Sequence, residues 1–245
     1  MARAKGGDSV TRKKGGAKGR NFRARQVYIF TEGEVTEPEY IDLILKEGTP
    51  AKPDQRVERH FQNANAASKY RKPLAMVQEA VRVLHKVERE AKDAGLKERD
   101  WNWPQVWVLF DRDDHQGISD AFRLAKEGVK IAYSHPCFEL WRLLHYQNYT
   151  STFGGVCGDA NSRLRQQQGF AQTYGANVRA VSEQQAKHIK PGQLLRTDDR
   201  NRYAEARKHA EKINARHSPN TDRNNWDPYT DVHEFIESGL LLSGY

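Results

Sequence analysis

Short apolar runs alternate along the chain with amphipathic stretches, and this order predicts an α/β fold. Residues 27–30 (VYIF) and 106–110 (VWVLF) are continuous apolar runs, as expected of strands buried on both faces of a parallel sheet. Residues 129–133 predict another strand, and residues 56–62 a weaker one. Strands that alternate with helices favour a mostly parallel sheet flanked by helices.

Helical patterns fill the spaces between these strands. Apolar residues recur at three- and four-residue steps over residues 73–88, and further helices are predicted over residues 119–127 and 137–146. The first helix follows a glutamate-rich loop. Thr36 as N-cap and Glu39 three residues later have the spacing of a capping box.

The strand pattern fades in the last hundred residues. Residues 201–216 and 231–242 predict helices, and residues 218–229, rich in Pro, Asn and Asp, predict a loop. We therefore expect an α/β core over residues 26–150 and a C-terminal helical extension over residues 151–245 that packs on the sheet. A separate second domain is the alternative.

Positive charge is concentrated at the N-terminus. The net charge is +8, and residues 1–25 hold nine basic residues and one acid, so the rest of the chain is formally neutral. The Gly/Lys/Arg-rich composition predicts a disordered tail that contacts phosphates of nucleic acid; the alternative is a solvated arm that aids solubility. The candidate nucleic-acid contacts are Lys13, Lys14, Lys18, Arg20, Arg23 and Arg25.

The cysteine content and the lack of long apolar segments indicate the compartment in which the protein works. Cys137 and Cys157 are the only cysteines; they do not form a disulfide framework or a CxxC metal site, and they fit a reducing cytoplasm. The N-terminus has no apolar segment typical of a signal peptide. No run reaches the ~18 apolar residues of a membrane span. We expect a cytoplasmic protein that does not bind membranes.

Acidic residues follow two of the predicted strands. Glu32 and Glu37 come after the first strand, and Asp111 and Asp113 come after the strand at residues 106–110. In open parallel sheets, ligands bind beyond the carboxyl ends of the strands, so these acids converge if the strands are neighbours. Carboxylates are preferred ligands of Mg²⁺, and Mn²⁺ also suits them. A bound cation would relieve their mutual repulsion. The alternative is that the acids cap turns and helices.

Further polar residues near these acids could belong to the same site. Glu37, Asp114, His135 and Glu139 are candidates for a supporting shell around it. A His135–Cys137 nucleophile pair fits less well, because SHPCFELW resembles a strand-to-helix turn. The chain has no P-loop and no GxSxG elbow.

Five stretches in order resemble the RloB-like family. They are FTEGEVTEPEY (30–40), VWVLFDRDD (106–114), AYSHPCFELWRLLHY (132–146), RYAEARKHAEKI (202–213) and SPNTDRNNWDPYTDVHEFI (218–236). They match the family's EGxxTExxY, DxDD and SxPCFExW segments and its late helix and loop. His135 departs from the small polar residue, such as Asn, expected there. The resemblance implies one RloB-like domain over residues 26–245.

The resemblance implies a Toprim-like fold, as in topoisomerases, primases and nucleases. It places the catalytic and metal-binding acids at Glu32, Asp111 and Asp113. It also implies a bacterial protein of phage-defence or restriction loci, often encoded beside an ATPase.

The leading hypothesis is a Mg²⁺- or Mn²⁺-dependent endonuclease that hydrolyses RNA or DNA in abortive anti-phage defence. The sequence leaves tRNA, other RNA and DNA open as substrates, and it leaves the trigger and the oligomeric state open. An interaction or sensor module that partners an ATPase is the second hypothesis. A phosphatase or phosphotransferase acting on small substrates is the third.

Overall fold

The computed structural model describes residues 23–195 and 201–245. The N-terminal half has strands and helices in the predicted order, with one addition, the two-residue strand β2, which was not predicted. Its strands are β1 (Arg25–Thr31), β2 (Thr49–Pro50), β3 (Val57–Phe61), β4 (Gln105–Asp111) and β5 (Lys130–His135), and its helices are α1 (Thr36–Glu47), α2 (Pro73–Asp93), α3 (Ile118–Ala125) and α4 (Phe138–Leu144).

The C-terminal half is mainly helical, as expected. It contains α5 (Cys157–Arg165), α6 (Glu183–Ala186), α7 (Pro191–Leu194), α8 (Arg202–Asn214), β6 (Tyr229–Thr230), α9 (Val232–Glu234), a π-helical turn (Phe235–Gly239) and β7 (Leu242–Gly244). None of the helices in the two described ranges is long and apolar enough to cross a membrane.

The central sheet has five strands in the order β3-β1-β4-β5-β6. The first four are parallel, and β6 pairs antiparallel with β5. The fold is therefore α/β with a mostly parallel sheet, which confirms the predicted class. Because β1 and β4 are neighbours, their carboxyl ends lie at the same edge of the sheet.

Helices cover both faces of this sheet. Alternate residues of a strand point to opposite faces: Val27 and Ile29 of β1 pack in a core with α1, α4 and α8, whereas Tyr28 and Phe30 pack in a core with α2 and α3. A smaller core of the C-terminal half surrounds Phe170. Burial on both faces explains why β1 and β4 are continuous apolar runs.

Three local expectations were wrong. Val35, not Thr36, is the N-cap of α1, and no side chain caps this helix end. The predicted last helix ends early, because a π-helical turn leads into β7, which pairs with β2. The C-terminal half also adds β6 to the sheet, although two residues are too few to show a strand period.

The two cysteines are also arranged differently from the expectation. Cys137 and Cys157 form a disulfide with an S–S distance of 2.16 Å and a Cα–Cα distance of 5.5 Å. The bond joins the residue before α4 to the first residue of α5. It therefore ties the C-terminal half to the edge of the sheet at which the acidic strand ends lie.

Candidate active site

The register of the sheet brings Glu32 next to Asp111. Thr31 at the end of β1 lies opposite Leu109 of β4, and the Glu32 N–H continues the ladder by donating to the Leu109 carbonyl at 3.0 Å. The Glu32 carboxylate then turns over the end of β4, where its Oε2 accepts from the Asp111 N–H at 3.0 Å. Glu32 and Asp111 therefore meet at the carboxyl edge of the sheet, as predicted.

Four buried or half-buried carboxylates surround one cleft at this edge, and exposed Glu34 also lines it. Glu32, Glu37, Asp111 and Glu139 all line a cavity of about 490 Å³. Glu37 comes from the first turn of α1 and Glu139 from the first turn of α4. The cleft therefore collects acids from two strand ends and two helix starts.

Burial and mutual repulsion perturb these acids. Burial raises the pKa of Asp111 well above its ordinary value, and the charges of Glu32, Glu37 and Glu139 raise it further. Burial likewise raises the pKa of Glu37 to about 7, although the Gly33 N–H opposes the shift by donating to Glu37 Oε1 at 2.9 Å. Perturbed carboxyls that share a cleft are typical of functional sites.

Gly33 lies directly against the Glu37 carboxylate. A Cβ at position 33 would lie 1.9 Å from Glu37 Oε2, well inside van der Waals contact. A larger residue at position 33 would therefore displace the Glu37 carboxylate from its present position. This contact explains why a glycine follows Glu32 in the glutamate loop.

His115 joins the site from the turn after β4. Its Nε2 lies 2.5 Å from Glu32 Oε1, and this hydrogen bond raises the pKa of His115. Both oxygens of Glu32 are thus held, one by His115 and the other by the Asp111 N–H. The pair fixes the orientation of Glu32 and keeps a proton beside it.

Arg71 holds the glutamate loop in place. Its buried guanidinium donates to the carbonyls of Thr31 at 3.0 Å and Gly33 at 3.2 Å, and on its other side to that of Asn63 at 2.8 Å. Its Nε also lies 3.4 Å from a Glu34 carboxylate oxygen. A buried cation that binds several carbonyls replaces the water they would otherwise need.

Two exposed lysines, Lys72 and Lys187, line the same cleft. Lys187 comes from the C-terminal half, and Glu39 of α1 anchors its neighbours by accepting from the Ile189 N–H and bonding His188 Nδ1, both at 2.8 Å. Glu39 therefore ties the two halves together instead of forming the predicted capping box.

Three predicted site residues do not line the cleft. Asp113 and Asp114 are exposed, because the chain leaves the strand at Asp111 and turns, with the His115 N–H donating to the Arg112 carbonyl at 3.2 Å. The strand alternation that would place Asp113 beside Asp111 does not continue through this turn. His135 is the buried last residue of β5, where it pairs with Tyr229 of β6; its Nε2 lies 4.0 Å from an Asp227 carboxylate oxygen, and burial lowers its pKa.

The predicted nucleic-acid tail is only partly described. Lys13, Lys14, Lys18 and Arg20 lie outside the described residues, and Arg23 is exposed. Arg25 differs from the expectation: it is the first residue of β1 and is buried, and its guanidinium donates to the Ser238 carbonyl at 2.6 Å and to the Trp101 carbonyl at 2.7 Å. Arg25 therefore joins β1 to the segments that carry Trp101 and Ser238.

The donor set of the cleft suits a hard divalent cation. Carboxylate oxygens are what Mg²⁺ prefers, and Mg²⁺ keeps several waters and needs only one or two direct carboxylates. The raised pKa values of Asp111 and Glu37 reflect burial first and the repulsion of neighbouring acids second, and a bound cation would favour the charged forms against both. Over the described ranges, only Cys137, Glu139 and Cys157 place three ligand atoms within 4.8 Å of one another, so a cation in the cleft would use water to complete its shell.

Sequence reasoning missed His115, Arg71, Lys72 and Lys187. His115 stands four residues after Asp111 in the same DRDDH motif, and this proximity was a usable signal. The other three come from segments remote from both acidic motifs, and they carry no local pattern that distinguishes them from surface cations.

Comparison with known proteins finds one match. The sequence profile of the family described as RloB-like protein matches residues 27–238, which is most of the chain. No curated protein and no solved structure matches.

Proposed function

The chain belongs to the RloB-like protein family, and we propose that it is a metal-dependent nuclease that hydrolyses phosphodiester bonds of RNA or DNA. The observation that carries the proposal is the cleft at the carboxyl edge of the sheet. There, five carboxylates line an open cavity whose lining also includes Lys72 and Lys187. Phosphodiester hydrolysis needs carboxylates that bind a metal ion and, beside them, basic side chains that bind the phosphate.

On this proposal the core is Toprim-like, with Glu32 after the first strand and Asp111 after its neighbour. Asp111, Glu37 and Glu139 would hold Mg²⁺ or Mn²⁺, with Glu32 at the edge of the shell. The cation would supply charge neutralisation of the phosphodiester and polarise its P–O bonds.

The chain's own residues supply the remaining steps. Lys72 and Lys187 bind non-bridging phosphate oxygens and orient the strand. The attacking water loses its proton to the Glu32–His115 pair. Its oxygen bonds to phosphorus, the bond to the 3′ oxygen breaks, and that oxygen takes a proton from solvent. The products are a 5′-phosphate and a 3′-hydroxyl.

The biological role we propose is abortive anti-phage defence, in a cytoplasmic protein that acts with an ATPase encoded nearby. Such a partner would restrain the nuclease until infection, because an unregulated nuclease would destroy the host's own nucleic acid. The cleavage assay described next, with tRNA among the RNA substrates, would also identify the preferred nucleic acid and the trigger.

A cleavage assay tests the proposal. Purified protein is incubated with RNA and DNA in Mg²⁺, in Mn²⁺ and in EDTA, with and without the ATPase. Cleavage is expected only with metal, and Asp111→Asn is expected to lower the rate at least about a hundredfold, because a bound metal supplies several kcal/mol of transition-state stabilisation. Asp120→Asn, at an exposed aspartate of α3, is the matched control and should cleave as wild type does.

A second candidate function is a non-catalytic interaction module that partners the ATPase. It is favoured by the position of Asp113 outside the cleft and by the two hydrogen bonds that already hold Glu32. A variant with Glu32→Gln, Asp111→Asn and Asp113→Asn separates the two. Protection of cells from phage by this variant would support the module and contradict the nuclease.

A further inference from the structure

A second depression lies beside the cleft, between the end of β3 and the first turns of α2. This depression, the Tyr70 groove, has a volume of about 760 Å³. Phe30 and Met76, both buried, and half-buried Phe61 contribute apolar surface to it. It therefore offers an apolar lining, large enough for a planar aromatic group.

Tyr70 forms an exposed wall of this groove. Its side chain is 57% exposed, and the only other large hydrophobic residue so exposed in the described part of the chain is Val156. The Lys69 ammonium lies 4.8 Å from the centre of the Tyr70 ring. An exposed aromatic face beside a cation is the combination that single-stranded nucleic acid binders use, the ring for a base and the cation for the backbone.

Free amides complete the lining of the groove. Asn65 and Gln78 are exposed and make no side-chain hydrogen bond to any residue in the described ranges. Arg82 adds a second cation, 2.9 Å from Glu79 on the same helix. Amide groups both donate and accept, so they match the mixed donors and acceptors on the edge of a nucleobase.

The groove and the catalytic cleft share one wall. Tyr70 lines the groove, while its neighbour Arg71 and the following Lys72 line the cleft. The Arg71 guanidinium bonds the Ala64 carbonyl of the groove at 3.0 Å and the Thr31 carbonyl beneath the glutamate loop at 3.0 Å. A strand whose phosphate lies in the cleft can therefore reach the groove with an adjacent base.

We propose that the Tyr70 groove binds one unpaired nucleobase of the substrate strand, stacked on Tyr70, next to the phosphate that is cleaved. The inference rests on the proposed function of the cleft. It specifies the substrate class as single-stranded nucleic acid or a single-stranded segment of a folded one, since a base inside a duplex has no free face to stack. Stacking tolerates every base, and Asn65 and Gln78 are the residues that would give a preference.

Binding measurements can test the groove without relying on cleavage. Full-length Asp111→Asn protein, in EDTA, is titrated with short single-stranded DNA and RNA that carry one 2-aminopurine, moved along the strand. At one position the fluorescence should be quenched by stacking. Adding Tyr70→Ala should remove the quenching and weaken binding roughly ten- to hundredfold. Tyr70→Phe, which keeps the ring, should behave as the parent does.

Two controls separate stacking from general damage. Trp103, whose ring lies 5.8 Å from the Lys92 ammonium at the other end of α2, lines neither cavity, so Trp103→Ala should leave binding unchanged. An abasic nucleotide at the quenched position should make the parent and Tyr70→Ala bind equally. Unchanged affinity of Tyr70→Ala for the intact strand, or no strand binding by the parent, would overturn the inference.

The outcomes also distinguish the two proposals. Binding that depends on Tyr70, with no metal-dependent cleavage by the wild type, would support the groove and contradict the nuclease. Cleavage by the wild type with binding that is indifferent to Tyr70 would contradict the groove alone.

Discussion

Replacing Glu37 with glutamine should stabilise the metal-free protein at neutral and alkaline pH. Glu37 is buried beside Asp111 and Glu139 in the cleft, so its charge is unfavourable there without a cation. Glutamine has nearly the same shape, and its side-chain oxygen can still accept from the Gly33 N–H. The substitution thus removes a buried charge and leaves the packing in place.

The size of the effect follows from the pKa of Glu37, which rises in the folded protein from 4.5 to about 7. Between these values the folded state holds a proton that the unfolded chain has lost, so the free energy of unfolding falls as the pH rises, and the loss is complete above about pH 7. At about 1.4 kcal/mol per pH unit, the penalty is about 3 kcal/mol.

Urea unfolding in EDTA, followed by circular dichroism from about pH 4.5 to pH 8, measures this difference. Glu37→Gln should be more stable than wild type by about 3 kcal/mol at pH 8, and the gap should close as the pH falls towards 4.5. Glu47→Gln, at the other end of the same helix, should change stability by less than about 0.5 kcal/mol at every pH.

Added Mg²⁺ should act on this stability difference in the opposite direction to the Glu37→Gln substitution. It should stabilise the wild type more than Glu37→Gln at pH 8, because the wild type has one more carboxylate to neutralise. Equal stability of the two proteins in EDTA at pH 8, or a gap that does not change with pH, would refute the reasoning about buried charge in the cleft.

Three further outcomes are expected. Arg71→Met should lower the free energy of unfolding by at least about 3 kcal/mol in urea, since it leaves several buried carbonyls unpaired; a smaller loss would contradict the anchoring role. Cys157→Ser should cost about 3 kcal/mol under oxidising conditions, because the Cys137–Cys157 link spans a sequence separation of 20; equal melting temperatures would contradict it. Deleting residues 1–22 should flatten the salt dependence of nucleic-acid binding; an unchanged slope would exclude the tail as a phosphate contact.

The central pairing of acids was predictable from the sequence. Residues 27–30 and 106–110 are apolar throughout, and this identifies strands covered on both faces. The first charged residue after each run, Glu32 or Asp111, then falls at the carboxyl edge. Because parallel neighbours end together, their convergence needed only the assumption that β1 and β4 are adjacent.

The parts that escaped prediction depend on turns and on long-range contacts. Asp113 leaves the cleft because the strand stops at Asp111, and the period of two applies only while the strand continues. Lys187 reaches the cleft through the bonds of Glu39 to His188 and Ile189, about 150 residues away in sequence, which no local pattern encodes. The Cys137–Cys157 pairing likewise depends on how α5 packs against α4.

Crystals grown with Mn²⁺ would test the central claim most directly, because anomalous scattering locates the ion without assuming any activity. The account predicts a peak in the cleft within about 2–2.5 Å of an oxygen of Asp111 and of at least one of Glu32, Glu37 and Glu139, and no such peak in Asp111→Asn crystals. A fully occupied Mn²⁺ site elsewhere with no peak in the cleft would contradict the account. A cleft peak that is still present in Asp111→Asn crystals would also contradict it.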